Sequence, residues 1–546
     1  MIVETDVLII GGGGAAARAA IEASKIPIKV AMVMKGKFPS GSTTISMGSM
    51  TAILRDDDNP EIFYDDIVKG GYFLNNKNLA KILAEQSRSV YEDLASYGTQ
   101  FRATNKGILY IAQPSGTSKP RAVLSIDHMF MKGLISKVKS SPIQIYEQVM
   151  ITDLLKANDT VIGAFGLNYI TGENIIFSAK AIILATGGLG QIFQLTSMPS
   201  DATGDGYIMG LKAGAELVDM EFTQAMVCVI WPEAIRGLAP PFDGFVQFGA
   251  KFFNGLHERF MERYDPENME NVTRDVACIS VFKEIKAGRA TSHGGVILDI
   301  SSIPWNLLKT LMPKVYHAYD RQGIDATKTG IEWAPGCHHE MGGLKINEKC
   351  ETKLKGLYAV GEVAGGVHGA NRLGGNSLTA TQIFGKIAGK NAAEFVKSVS
   401  QREIPRDMIN EKTESINEIY ERDIGINYLE IAEKLKQIMS ENAWIIKTEE
   451  KLNIALGEVI KLKQEAKSNI ILPKKTYRNL KGALETLNMI EVSELIIRAS
   501  IIRTESRGAH YREDYPEQDD KNWLKNIIFY KEKDEIKHYI KQIEKD

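Results

Sequence analysis

Apolar positions fall into two rhythms along this chain. Near the N-terminus they come in short unbroken runs. Thr5-Asp-Val-Leu-Ile-Ile10 and Ile28-Lys-Val-Ala-Met-Val-Met34 are of strand length, and the alanine-rich stretch Ala17–Ala23 between them favours a helix. Ala181-Ile-Ile-Leu-Ala-Thr-Gly-Gly188 is a third run, ending in a glycine turn. Residues 1–222 therefore read as alternating strands and helices. From 223 to 342 the alternation breaks down, with Gly237-Leu-Ala-Pro-Pro and a charged run over Glu258–Glu270. Strand–helix character returns at 343 and ends near 400. Beyond the break Gln401-Arg-Glu-Ile-Pro405 the rhythm is helical. Ile431, Leu435, Ile438 and Met439 stand at i, i+4, i+7 and i+8, the stripe of an amphipathic helix. The pattern predicts an α/β domain in two parts (1–222 and 343–400), an inserted unit (223–342) and a C-terminal helical bundle (401–546).

The turn after the first strand carries chemistry. Gly11, Gly13 and Ala16 occupy the three fingerprint positions of a Rossmann-type dinucleotide site, with Gly14 between them. Helix-terminal amides at such a turn hold a pyrophosphate. The second strand ends at Lys35, where an acidic residue usually binds a ribose. The densest polar set lies at Gly361–Leu378, where six glycines surround Glu362, His368, Arg372, Asn371 and Asn376. Glycine lets backbone approach a ligand closely, and an Arg among glycines suits a carboxylate or phosphate.

Composition narrows the partners. Net charge is −2 over 546 residues with no basic block, which argues against nucleic acid. Cys228, Cys278, Cys337 and Cys350 are scattered without CxxC spacing, so no metal or iron–sulfur site is expected from this chain alone. No apolar run approaches about 18 residues, so no direct membrane insertion is expected. The first strand begins within a few residues of Met1, and few cysteines fit a reducing compartment. The expectation is a cytoplasmic protein that reaches a membrane only through partner subunits.

Seven blocks resemble the flavoprotein family of succinate dehydrogenase, fumarate reductase and L-aspartate oxidase. They are Gly11–Ala20; Gly41-Ser-Thr-Thr-Ile-Ser-Met-Gly48; Leu184–Gly188 with Thr203-Gly-Asp205-Gly; Glu258–Tyr264 with Thr273-Arg274-Asp275; His338-His-Glu-Met-Gly-Gly343; Gly361–Leu378; and Arg503–Pro516. The resemblance implies an FAD-binding domain, a capping domain over the flavin and the C-terminal bundle. Its cofactor positions fall on Gly11, Gly13, Gly14, Ala16, Lys35, Ser42, Thr43, Thr44, Gly48, Thr186, Gly187, Asp205, His339, Glu362, Ser377 and Leu378. Family members that tether the flavin do so through a His. Here Ser42 stands at that position, so FAD is expected to be non-covalent. Arg372 and His338 match the residues that grip a substrate carboxylate. Arg274 matches the proton donor to a fumarate-like C=C that takes hydride from the flavin. Arg is a weak acid and needs prompt reprotonation. Glu233 and Arg236 resemble the family's relay, Glu-x-x-Arg-Gly.

Two positions depart from the family pattern. Met226 replaces a second substrate His, and Pro232 replaces a Thr; both normally hold the second carboxylate. The segment between Met226 and Glu233 is also short for the family. The resemblance thus implies a fumarate reductase or succinate dehydrogenase flavoprotein subunit, whose electron partner is an iron–sulfur subunit. A thiol-driven fumarate reductase of the methanogen kind also fits. L-aspartate oxidase, or a relative acting on another carboxylate, is the alternative. A flavin-binding subunit without turnover is disfavoured by the intact arginines.

Overall fold

The computed structural model describes residues 1–103, 106–126, 129–240, 242–533 and 535–543. Strand Ile2–Ile10 is the middle of a seven-stranded sheet. It pairs in parallel with Val30–Val33 on one side and Asn174–Leu184 on the other. Ile143–Tyr146 and Leu357–Ala359 extend the parallel part. Thr160–Asn168 and Val149–Ala157 add an antiparallel meander. Val7, Leu8, Ile9 and all of Val30–Val33 are buried, as in a sheet covered on both faces. Helix Gly14–Ala23 starts directly at the glycine turn and lies against helix Asn376–Phe395. Gly385 and Gly389 make that approach close: a Cβ on either would meet backbone of the first helix within 3.0 Å.

Residues 223–340 build a separate four-stranded antiparallel sheet in the order Thr223–Trp231, Ile331–Glu340, Val296–Asp299, Lys251–Phe253. Helix Arg274–Lys286 packs on it. The strand Ile331–Glu340 carries His338 and His339 near its end, where His339 and Glu340 still pair with Gln224 and Thr223, close to where the α/β part resumes.

Helices Arg406–Glu421, Tyr428–Asn442, Glu449–Asn469 and Tyr477–Ile502 form the C-terminal bundle. Ile431, Leu435, Ile438 and Met439 are all buried, as their spacing predicts. The last long helix ends at Ile502, and only the short Asp520–Trp523 helix follows it among the described residues. Lys525–Glu532 and Glu535–Gln542 pair as antiparallel strands, and the first joins Leu217–Val218 in a five-stranded sheet. Ile527, Ile528 and Phe529 are buried there. A run of three adjacent apolar residues suits a strand covered on both faces better than an amphipathic helix. No helix among the described residues is long and apolar enough to cross a membrane.

Candidate active site

The two halves of the α/β part and the inserted sheet enclose a cavity of about 560 Å³. Several helices begin at its wall. Gly13 precedes Gly14–Ala23, Gly375 precedes Asn376–Phe395, and Thr273 precedes Arg274–Lys286. None of these three cap residues hydrogen-bonds the helix end through a side chain. The free amides therefore point their partial positive charge toward whatever the cavity holds. Two first-turn amides are already taken: the Gly14 N–H donates to Thr43 Oγ1 at 3.3 Å and the Asn376 N–H to Leu373 O at 3.4 Å.

One end is a cradle of glycine. Gly187 has φ of +77°, and a Cβ there would find no atom within 4 Å, only cavity. At Gly13 the nearest atoms to such a Cβ are 3.6 and 3.8 Å away. The buried Thr186 hydroxyl has no hydrogen-bond partner. A cradle lined with bare backbone and an unused hydroxyl fits a dinucleotide. Gly11, Gly13, Gly14, Lys35, Ser42, Thr43, Gly48, Thr186, Gly187, Asp205, His339, Glu362, Ser377 and Leu378 all line the cavity. Ala16 and Thr44 do not. Ala16 faces the core, and its neighbour Ala15 reaches the wall. Thr44 is exposed, its hydroxyl turned back to Ser40 O at 2.9 Å. Lys35 lines the cavity without being free for a ligand. Its ammonium donates to Asp205, Glu485, Thr203 and Asp201 O.

The other end is cationic. Arg372 is buried, and its Nη1 donates to Leu373 O at 3.1 Å. Its Nε has no partner, and neither has Nη1 of Arg274. Buried guanidinium donors left unpaired are costly, and an anion would satisfy them. Burial, with the like charge of Arg274, pulls the Arg372 pKa down to about 9; Glu362 and Asp243 oppose the fall. His338 Nδ1 lies 2.7 Å from Ser197 Oγ. Burial first, then Arg372 and Arg274, holds His338 well below its usual range, so the ring is neutral at pH 7. His339 Nδ1 is 3.6 Å from Glu362 Oε1. Burial lifts Glu362 to about 7, against the N–H that Glu340 donates to it at 2.9 Å.

Residues 6–378 match the model of the FAD binding domain, and residues 432–545 that of the fumarate reductase flavoprotein C-terminus. The chain belongs to the fumarate reductase and succinate dehydrogenase flavoprotein family. It is an FAD-binding oxidoreductase. An uncharacterized FAD-dependent oxidoreductase of Methanocaldococcus jannaschii is 40% identical to it over 539 residues, 96% of each chain. A fumarate reductase (CoM/CoB) chain of Methanothermobacter marburgensis is 37% identical over 96% of this chain and 97% of its own. An L-aspartate oxidase of Yersinia pestis is 29% identical over 94% of this chain and 96% of its own. A mutant of Escherichia coli quinol fumarate reductase, 26% identical, matches the fold with a TM-score of 0.93 over 100% of this chain and 97% of that one.

The expected relay pair sits at the surface of the inserted unit. Glu233 and Arg236 do not line the cavity. Their side chains are 82% and 38% exposed, and they sit 3.9 Å apart at the surface. The reason is extended geometry. Met226 lines the cavity, but strand Thr223–Trp231 continues past it at about 3.3 Å per residue. Glu233 is left at the tip of a return turn, where Gly237 N–H donates back to Val229 O at 2.9 Å. Such an exposed pair contributes little. Met226 faces the cavity at 3% exposure, opposite Gly336 in the neighbouring strand. Sequence reasoning missed Ser197, Gln113 and Asp243, which also line the wall. None sits in a motif, and only the tertiary approach of their loops reveals them.

Proposed function

We propose that this chain reduces a fumarate-like enoate to the saturated acid, as the FAD-carrying subunit of a fumarate reductase. One observation carries the reading: Arg274 and Arg372 share a cavity wall and both keep a buried guanidinium nitrogen without a partner. A carboxylate is the ligand that two such forks fit. Arg372 and the neutral His338 hold it and draw off the negative charge that grows there as the C=C is reduced. Arg274 protonates the far carbon. FAD, held by the glycine cradle, Ser42, Thr43, Glu362, Ser377 and Leu378, supplies the hydride chemistry. Ser42 has no imidazole to tether it. Met226 offers the substrate's second arm only a weak sulfur acceptor. That arm is therefore less polar or longer than in fumarate, or is held by other groups.

Electrons reach the flavin from an iron–sulfur partner, since the chain's four scattered cysteines make no cluster motif. The name of the Methanothermobacter relative favours thiols as the ultimate donor. L-aspartate oxidation is the second reading, favoured by the untethered cradle at Ser42 and the similarity to an L-aspartate oxidase. The test is turnover of purified protein. Fumarate and related enoates are offered with a reduced dye, and L-aspartate with O2 or fumarate as acceptor. Arg274→Ala should abolish enoate reduction, by about 10²–10⁴ or more, with FAD content unchanged. Wild-type turnover in that variant would remove Arg274 from the chemistry. Aspartate turnover without enoate reduction would select the second reading.

A further inference from the structure

His338 can grip a carboxylate only through an N–H. A neutral imidazole carries one N–H and one bare nitrogen, so the tautomer decides whether the ring attracts or repels an anion. Burial and the two arginines keep this ring neutral, and the choice stands. His338 and Ser197 both line the cavity. The ring's Nδ1 lies 2.7 Å from Ser197 Oγ, and its Nε2 has no hydrogen-bond partner among the described residues. The Ser197 hydroxyl has one proton and two oxygen or nitrogen acceptors in reach, Nδ1 at 2.7 Å and Cys337 O at 3.3 Å. That carbonyl is already occupied. It accepts the Ser197 N–H at 2.9 Å and the Thr196 hydroxyl at 2.9 Å, one donor for each lone pair. The Met198 N–H donates to Thr196 Oγ1 at 3.1 Å, which leaves that hydroxyl's own proton for the carbonyl. The Cys228 thiol also meets the Ser197 hydroxyl. Burial pushes it up to about 12, so it keeps its proton and offers no charged competitor. The Ser197 proton therefore goes to Nδ1, and the ring's own N–H falls on Nε2. Backbone fixes the geometry: Cys337 N–H donates to Leu195 O at 2.9 Å, and Thr196 bridges Cys337 in parallel. The hydroxyl is thus locked to the residue that precedes His338.

Resting on the enoate-reduction reading, we propose that Ser197 is a positioning residue that holds His338 as its Nε2–H tautomer and so gives the substrate carboxylate an N–H donor. The opposite tautomer would present a lone pair to the carboxylate and repel it. With Nε2–H fixed beforehand, the ring joins Arg372 in holding the carboxylate without first exchanging its proton. A neutral donor suffices there, because the two arginines already supply the charge. Ser197 acts through His338 and touches no reacting carbon. His339 does not share this arrangement, since its Nδ1 faces Glu362 instead of a hydroxyl.

The test reads the tautomer directly. The FAD-loaded protein is labelled with 15N-histidine, and the His338 ring signals are assigned by their loss in His338→Gln. Protonated and bare ring nitrogens differ widely in 15N shift. Wild type should carry the proton on Nε2. Ser197→Ala should lose that fixed pattern, its signals averaging or moving toward the Nδ1–H form. Its Kd for a non-reacting dicarboxylate should rise about tenfold, the lower end of what a hydrogen bond to a charged group contributes. Its kcat/KM for the enoate that wild type reduces best should fall by a similar factor. Ser197→Thr keeps the hydroxyl and should keep both the tautomer and the affinity. Bound FAD should not change in either variant, which a general packing defect would not spare. The proposal is overturned if wild-type His338 carries its proton on Nδ1, or if Ser197→Ala keeps the wild-type tautomer and dicarboxylate Kd. The wild-type signal decides the first point even if Ser197→Ala fails to fold. A wild type with the Nε2–H ring that reduces no enoate would end the enoate reading and uphold the hold of Ser197 on the ring. A working enoate reductase with an Nδ1–H ring would end this inference alone.

Discussion

Lys35 Nζ lies 2.6 Å from Asp205 Oδ2, and 2.7 Å from Glu485 Oε1 on the other side. One ammonium thus ties the end of the second strand to the start of helix Asp205–Ala213 and to helix Tyr477–Ile502 of the bundle. The resemblance assigns Lys35 and Asp205 to the cofactor directly. The structure makes Lys35 the clamp that holds Asp205 at the cradle.

Lys35→Met should therefore destabilise the fold, because it leaves the buried Asp205 without its cation, while Glu485 keeps only Lys481. Breaking one side of a buried pair costs about 3–5 kcal/mol. Chemical denaturation should show that loss, with weaker FAD retention alongside. A variant as stable as wild type would mean the carboxylates find other partners.

FAD should be released when the protein is denatured in acid, since Ser42 and Thr43 line the cavity where a tethering His would be needed. Filtration after precipitation decides it. Yellow colour retained by the chain would show a covalent link through a residue not identified above.

Met226→His should improve handling of fumarate. A charge-assisted hydrogen bond to a carboxylate is worth roughly 1.5–3 kcal/mol, or ~10–150-fold in affinity at about 1.4 kcal/mol per decade. The new imidazole would be buried near Arg372 and Arg274, which depress His338 beside it. The gain should therefore appear at low pH. A KM for fumarate unchanged down to about pH 5.5, a unit below the ordinary His value, would show that other groups hold the second arm.

His368 should make the fold acid-sensitive. Burial, with Arg372, holds it at about 3, against about 6.5 when unfolded. The lowered value sets the sign: as pH falls through 6.5 the unfolded chain takes the proton first, so stability present above that pH is lost toward 3. At pH 5 the loss is about 2 kcal/mol at 1.36 kcal/mol per pH unit. His339, 5.5 Å away ring to ring, is depressed in the same sense, while the raised Glu362 opposes it. His368→Asn should narrow the drop in Tm between pH 7 and pH 5. An unchanged drop would place the acid sensitivity elsewhere.

The sequence alone determined what depends on local backbone. Gly11–Ala16, Gly187 and Gly361–Leu378 are legible because close approach of a ligand to main chain excludes side chains, whatever the surroundings. The amphipathic stripe through Ile431 is legible because helical period is also local. Tertiary structure decided what depends on where a side chain ends up. Glu233 carries the right letters at the right spacing, yet a strand of fixed rise takes it past the cavity to the surface. Asp243, in no motif, is brought to the wall by a helix anchored on Phe242 and Phe245. Lys35 gains its partners from residues 170 and 450 positions away along the chain. Its role, like that of any buried charge, is set by which opposite charges the fold brings within reach.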